Sequence, residues 1–198
     1  MKYPLSKCWK EIFVVESSTI DPQPGYPCHN SGDIMYDNHM KAVDFVMSTG
    51  WELNQNTPLD IHRILTRGIP FYEDQGASGQ YRKSDVWIGG EKCPAHYLLE
   101  DMINNVWYPT TRRLIDKVYA QKFDAVKAAW ISHHIFEVIH PFIDGNGRTG
   151  RLLFNKVLHD VGEEPRIVFF ESRYRYYNSI QEFKYKYFDN NFKNLEDF

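Results

Sequence analysis

Apolar positions along the chain recur mainly at helical spacing. Residues 36–49 carry Met40, Val43, Val46 and Met47 on one side of a helix, with Gly50 placed to end it. Thr57-Pro58 is a helix start, because Thr can cap and Pro fits the first turn; Leu59, Ile61, Ile64 and Leu65 follow, up to Gly68 and Pro70. Helical pattern returns from about Pro94 to Trp107 and from about Arg112 to Tyr119. The strongest helix is FDAVKAAWISHHIFEV, Phe123 to Val138, whose apolar residues cover more than one face and predict a helix surrounded by others. A further helix is predicted from about Arg148 to Asp160 through Leu152, Leu153, Val157 and Leu158, and a last one over roughly 172–186. Two stretches break the pattern. Residues 17–34, rich in Pro, Gly, Ser and Asp, read as a loop or arm. Residues 79–90, GQYRKSDVWIGG, read as a short exposed β-hairpin with its turn at Arg-Lys-Ser-Asp. The expected fold class is all-α with one small β-hairpin, an N-terminal arm over 1–35 and a single helical domain over 36–198.

A chain of 198 residues can bury one substantial core, and 42% hydrophobic with 25% charged residues is ordinary for a globular protein. A net charge of −3 gives no reason to expect nucleic acid as the main ligand. No apolar run reaches the roughly 20 residues of a membrane span, and the N-terminus lacks a signal-peptide pattern. A cytoplasmic location is the expectation, in the protein's own cell or in a host's if it is exported. Cys8, Cys28 and Cys93 are odd in number and far apart, which argues against a disulfide framework and for a reducing compartment.

Chemistry concentrates between the two central helices, in HPFIDGNGRTGR, His140 to Arg151. Pro141 ends the preceding helix at His140. Gly145 and Gly147 let the backbone turn its N–H groups inward as a nest for phosphate oxygens, and the next helix points its positive end at the same spot. Arg148 and Arg151 lie on one side of that helix, each with a fork that matches phosphate. Asp144 is a hard oxygen ligand suited to Mg²⁺ that already carries phosphates. His140 can take a proton from an attacking hydroxyl. Simpler readings fare worse. A P-loop would need a Gly-Lys-Ser/Thr ending, an EF-hand starting at Asp144 would need Gly where Thr149 stands, and no HExxH pattern makes His133 and His134 metal ligands. Those two histidines read as packing or surface residues.

The segment matches the HPFx(D/E)GNGRxxR signature of Fic-domain proteins at every defined position, and the chain resembles that family from roughly 36 to 190. TPLDIHRILTRGI resembles the helix ahead of the family's flap, GQYRKSDVWIGG the flap, and Tyr176-Tyr177 a pair in the last core helix. The resemblance implies a transferase that moves AMP from ATP to a Ser, Thr or Tyr hydroxyl of a protein, releasing pyrophosphate. It makes His140 the general base and Asp144 the Mg²⁺ ligand. Gly145, Asn146 and Gly147 would bind the α-phosphate, Arg148 the β- and Arg151 the γ-phosphate, while Phe142 anchors the loop in the core. Gly79, Gln80, Tyr81, Arg82, Val86, Trp87 and Ile88 would register the target segment. Tyr176 and Tyr177 would either flank the adenine or merely pack. Family members without the second Arg can act as kinases, so Arg151 favours nucleotidyl transfer.

Many Fic proteins also carry an inhibitory helix, (S/T)xxxE(G/N), whose Glu pairs with the second Arg. Ser17-Ser18-Thr19-Ile20-Asp21-Pro22 lines up with it, with Asp21 for Glu and Pro22 for Gly. Two readings stand equally: Asp21 contacts Arg151, or the segment is an ordinary Pro-containing loop. Alternatives for the activity are a different donor (UTP, GTP or CDP-choline), an enzyme that also removes the modification, and a nucleotide-binding regulatory or toxin-like module with vestigial catalysis. The target protein and the oligomeric state are not readable from the sequence.

Overall fold

The computed structural model describes residues 8–22, 30–188 and 195. In chain order its elements begin with α1 (Trp9–Ile20), α2 (Ile34–Val46), α3 (Thr57–Thr66) and the short α4 (Pro70–Glu73). A hairpin of β1 (Trp87–Ile88) and β2 (Glu91–Lys92) follows. Then come α5 (Leu99–Met102), α6 (Tyr108–Tyr119), α7 (Ala125–Ile139), α8 (Asn146–Asp160) and α9 (Arg173–Phe183). The fold is mainly helical, as the periodicity predicts. Helices α7 and α8 form its centre, and their shared core includes Ile135, Phe136, Leu153, Phe154 and Val157, each no more than 2% exposed. Asp124 caps α7 by accepting the Lys127 N–H at 2.8 Å.

The main departure from the sequence reading lies at the N-terminal side. Ser17 to Ile20, expected as loop, form the last turn of α1, and Asp21 caps its end. Phe13, Val14, Ser17 and Ile20 are buried at helical spacing and pack α1 against α2 and α8. The hydroxyl residues that weaken an isolated helix are satisfied. Thr19 Oγ1 donates to Val15 O at 2.7 Å, and Ser18 Oγ lies 3.1 Å from His39 Nδ1 on α2. The Pro and Gly residues that suggest a loop begin only at Pro22.

Smaller differences have local causes. Helix α2 ends at Val46, ahead of Gly50, where the Trp51 indole N–H takes the Phe45 carbonyl at 3.1 Å. The segments expected apart on either side of residues 108–111 run on continuously. A π turn at Ile103–Trp107 leads directly into α6, and Pro109 sits in that helix's first turn, where no N–H is needed. The hairpin turns at Gly89-Gly90, with φ of 59° and 85°, instead of at Arg82–Asp85. A two-residue hairpin turn of this hand needs positive φ at both central residues, which glycine supplies without strain. Arg82 to Asp85 form the base of the hairpin. There the Asp85 carboxylate accepts from Lys92 Nζ at 2.7 Å and from the His96 N–H at 3.1 Å.

Cys8 is exposed and Cys93 buried, both as free thiols, and Cys28 lies outside the described residues. Among the described residues no helix is long and apolar enough to cross a membrane.

The loop between α7 and α8 is tied down by Phe142, which is fully buried. Its ring stacks on His62 of α3 with centroids 3.9 Å apart and meets Phe136 of α7 at 6.2 Å. Phe142→Ala removes this wedge beneath the loop. It is expected to cost about 3–5 kcal/mol, read as a lower midpoint in urea denaturation.

Candidate active site

The loop departs from α7 through a strained residue. His140 has φ 50° and ψ 61°, a left-handed conformation that costs a non-glycine residue about 1–2 kcal/mol. It is held there from both ends. Its N–H donates to Phe136 O at 3.0 Å, and its carbonyl accepts from Arg82 Nε at 2.9 Å. Arg82 is itself buried at 4% exposure and also donates to the carbonyls of Ser84 and Pro94. Of the residues expected to dock a target, Arg82 is thus a pin beneath the loop. Gly79 is buried, and its N–H donates to His62 Nδ1 at 3.0 Å. Gln80, Trp87 and Ile88 are exposed, while Tyr81 and Val86 are half-buried.

The His140 tautomer follows from its partner. Nδ1 lies 3.3 Å from Glu137 O, a group that only accepts, so Nδ1 carries the proton and Nε2 its lone pair. Nε2 makes no hydrogen bond among the described residues, and His140 lines a cavity of about 510 Å³. Burial, assisted by Arg82, lowers its pKa to about 4, so the imidazole is neutral at physiological pH.

Gly145, with φ 83°, turns the chain into α8. The first helical hydrogen bond is Thr149 N to Gly145 O, so the N–H groups of Asn146, Gly147 and Arg148 have no partner within the helix. The Asn146 side chain is spent inside the loop. Its Oδ1 accepts the Phe142 N–H at 2.8 Å and its Nδ2 donates to Phe142 O at 2.9 Å. Only its backbone is free for a ligand. Asp144 and Arg148 pair at 3.1 Å, and Tyr72 of α4 donates to the same carboxylate oxygen, Oδ2. Arg148 also donates to Tyr72 Oη at 2.9 Å. His62 Nε2 donates to Asp144 O at 3.0 Å, its proton placed there because Nδ1 accepts from Gly79. Neither Tyr72 nor His62 stands out in the sequence, since both act through contacts more than 70 residues away.

Asp144 Oδ1 makes no hydrogen bond among the described residues, and the side chain is 36% exposed beside the cavity. One free carboxylate oxygen beside the N–H groups that open α8 fits a Mg²⁺ ion that brings its other ligands with it. Among the described residues no group of three or more His, Cys, Asp or Glu could hold a metal by itself.

Arg151 is 1% exposed. Its Nε donates to Ser17 Oγ at 2.9 Å, and one terminal nitrogen donates to Ser17 O at 2.7 Å and Asp21 Oδ2 at 3.1 Å. The other terminal nitrogen donates to Tyr176 Oη at 3.3 Å. Of the two readings of Asp21, the structure has the contact with Arg151. The carboxylate lies over the nest, since a methyl group on Gly147 would come within 2.1 Å of Asp21 Oδ2. Tyr177 steadies this end of α1, its hydroxyl donating to Ile20 O at 3.0 Å. Both tyrosines line the cavity, with Tyr176 buried and Tyr177 partly exposed.

Glu137 is a member of the site that the sequence reading passed over. It is 8% exposed, lines the cavity, and its Oε1 lacks a hydrogen-bond partner among the described residues. Burial, assisted by the Asp21 charge and opposed by Arg151, pushes its pKa up to about 8. His133, taken as a packing residue, is fully buried beneath Tyr176, and His134 packs nearby with Nε2 3.2 Å from Ser179 Oγ.

Residues 52–158, more than half of the chain, match the model of the Fic/DOC family. The chain belongs to that family. It is 34% identical over 123 residues to a protein adenylyltransferase Fic of Aedes aegypti, covering 62% of this chain and 23% of that one. A second such protein, from Nematostella vectensis, is 32% identical over 149 residues, covering 72% of this chain and 32% of its own length. The chain therefore spans about a quarter to a third of these curated relatives. The crystal structure of a Fic-domain-containing signalling protein from Bacteroides thetaiotaomicron superposes with a TM-score of 0.69 at 18% identity, over 87% of this chain and 70% of that one. The fold is shared.

Glu137 gives a pH-dependent contribution to stability whose sign is fixed. A carboxyl with its folded pKa raised to about 8, from 4.5, binds its proton more tightly when folded. Stability is therefore full below about 4.5 and lost as pH rises through 8. Glu137→Gln keeps the neutral shape and removes this slope. Its unfolding free energy is expected to fall less steeply than wild type between about pH 6 and 8, by up to roughly 1.4 kcal/mol per pH unit, measured by urea titrations at each pH.

Proposed function

We propose that this chain is a protein adenylyltransferase, moving AMP from ATP onto a hydroxyl side chain of a protein. One observation carries the reading: His140 with its free Nε2, Asn146 and Gly147 at the open end of α8, and Asp144, whose carboxylate is paired with the buried Arg148, border a single cavity. A phosphate-binding module with no catalysis has no use for a neutral base held in a strained backbone. The names of the Aedes and Nematostella relatives support the same reading.

His140 Nε2 accepts the proton of the target hydroxyl as that oxygen attacks the α-phosphorus. The bond from the α-phosphorus to the bridging oxygen breaks, and that oxygen leaves with the β- and γ-phosphates as pyrophosphate. The nest N–H groups of α8 receive the charge that builds on the α-phosphate oxygens. Arg148 holds the β-phosphate, and Arg151 the γ-phosphate. Asp144 Oδ1 would hold Mg²⁺, which when bound supplies positive charge across the phosphates. A bound triphosphate also raises the basicity of His140 above that of the free site, because negative charge favours the imidazolium. The exposed hairpin, with Trp87 and Ile88, is the surface suited to an extended target segment.

Asp21 belongs to the control of this site. With its carboxylate on Arg151 and over Gly147, it occupies the place the γ-phosphate needs. The pair opposes productive binding of ATP until the end of α1 yields.

Intact-mass spectrometry after incubation with Mg²⁺ and ATP, UTP, GTP or CDP-choline tests the activity on the protein itself and on added lysate proteins. The expected outcome is an adduct of one AMP with ATP alone, reduced about 10²- to 10⁴-fold in His140→Ala. An adduct from another donor transfers the mechanism to that donor, and no adduct anywhere overturns the enzyme reading. Asp21→Ala is expected to raise the initial rate roughly two- to five-fold, the effect of losing an ion pair of about 0.5–1 kcal/mol whose carboxylate is partly exposed. An unchanged rate in both Asp21→Ala and Asp21→Gly removes Asp21 from control.

A further inference from the structure

We infer that Tyr176 and His133 form a positioning pair that holds the phosphate-facing end of Arg151 once Asp21 has left it. The inference rests on the reading that Arg151 grips the γ-phosphate.

The hydrogen-bond chemistry gives the pair one direction. An arginine nitrogen only donates, so Tyr176 Oη accepts from Arg151 at 3.3 Å. The tyrosine's own proton then needs an acceptor, and His133 Nε2 stands 2.9 Å away. His133 therefore carries its proton on Nδ1 and is neutral, the state its complete burial favours. Tyr176 is 5% exposed and its ring lies 5.6 Å from that of His133, which keeps the two rings together in the core. The Arg151 guanidinium carbon sits 5.7 Å from the centre of the Tyr176 ring.

The division of labour on Arg151 makes the pair matter. Nε and one terminal nitrogen are held by Ser17 and Asp21 of α1, and the second terminal nitrogen by Tyr176 alone among the described residues. Both terminal nitrogens lie at the nest, 2.9 and 3.2 Å from where a methyl group on Gly147 would be. When a phosphate replaces the Asp21 carboxylate, the fork presents two nitrogens, and only Tyr176 fixes the aim of the second. Behind the pair, His133 is wedged against Gly150 of α8. A methyl group on Gly150 would come within 3.1 Å of His133 Nδ1 and 2.1 Å of Glu137 Oε1, so only glycine leaves the imidazole its place. Tyr176 on this account acts on the nucleotide through Arg151, and the adenine is left to other walls of the cavity.

The test compares ATP with ADP, which lacks the γ-phosphate. Dissociation constants with Mg²⁺ are measured by calorimetry on an Asp21→Ala, His140→Ala parent of the 198-residue chain, which opens the site and prevents turnover. Arg151→Ala, Tyr176→Phe and His133→Phe are each added to it. Arg151→Ala is expected to raise the ratio of the ATP to the ADP constant at least tenfold. Tyr176→Phe and His133→Phe are each expected to raise it three- to ten-fold. A ratio unmoved by Arg151→Ala overturns the γ-phosphate assignment, and the inference with it. A ratio moved by Arg151→Ala but by neither ring variant overturns the positioning pair alone. An equal loss for ATP and ADP in Tyr176→Phe also overturns it, and returns Tyr176 to the nucleoside. Should one ring variant fail to melt cooperatively, the other decides, since the two remove opposite ends of one hydrogen bond.

Discussion

A guanidinium with 1% of its surface exposed has to be paired on nearly every side, and Arg151 organises the molecule around that need. Three of its hydrogen bonds go to the end of α1 and one to Tyr176 of α9. The charge on α8 thus recruits the first and the last described α-helices to one point, beside the nest that opens α8. Removing α1 from Arg151 without a replacement anion would strand a buried cation. A nucleotide's terminal phosphate is an anion of the right kind. On the proposed function, occupancy by Asp21 and occupancy by nucleotide are alternatives, which ties the packing of α1 to the state of the site.

The second constraint is on the loop. His140 is held left-handed and neutral, with its lone pair free, because Arg82 takes its carbonyl and Glu137 O takes its Nδ1 proton. Phe142 and Asn146 close the loop internally, and His62 with Tyr72 fixes Asp144 from α3 and α4. The groups proposed for chemistry therefore sit on a rigid frame, while the group proposed for control, Asp21, stays 42% exposed at a helix end. Strain and burial are concentrated where geometry must not move. Exposure is kept where release is needed.

Much of this was legible in the sequence because it is local. Helix-period apolar positions predict α7 and α8, and the nest, the base and the two arginines occupy twelve consecutive residues. The hairpin was visible from its composition, although its turn fell to Gly89-Gly90 because positive φ outweighs polarity there. The arm over 17–34 misled for the opposite reason. Ser and Thr are indifferent to helix on their own, and only burial against α2 and α8 makes Ser17 to Ile20 helical.

By itself the sequence determined the helical class, the family and the segment from His140 to Arg151, since each rests on spacing within a few turns of chain. The tertiary structure decided which partners each of those residues has. Asp21 reaches Arg151 across 130 positions, His62 reaches Asp144 across 82, and Tyr176 reaches His133 across 43. The inhibitory-motif resemblance offered the first of these as one of two readings; no periodicity or motif encodes the other two, because they exist only once burial has brought distant polar groups together and left each without water to turn to.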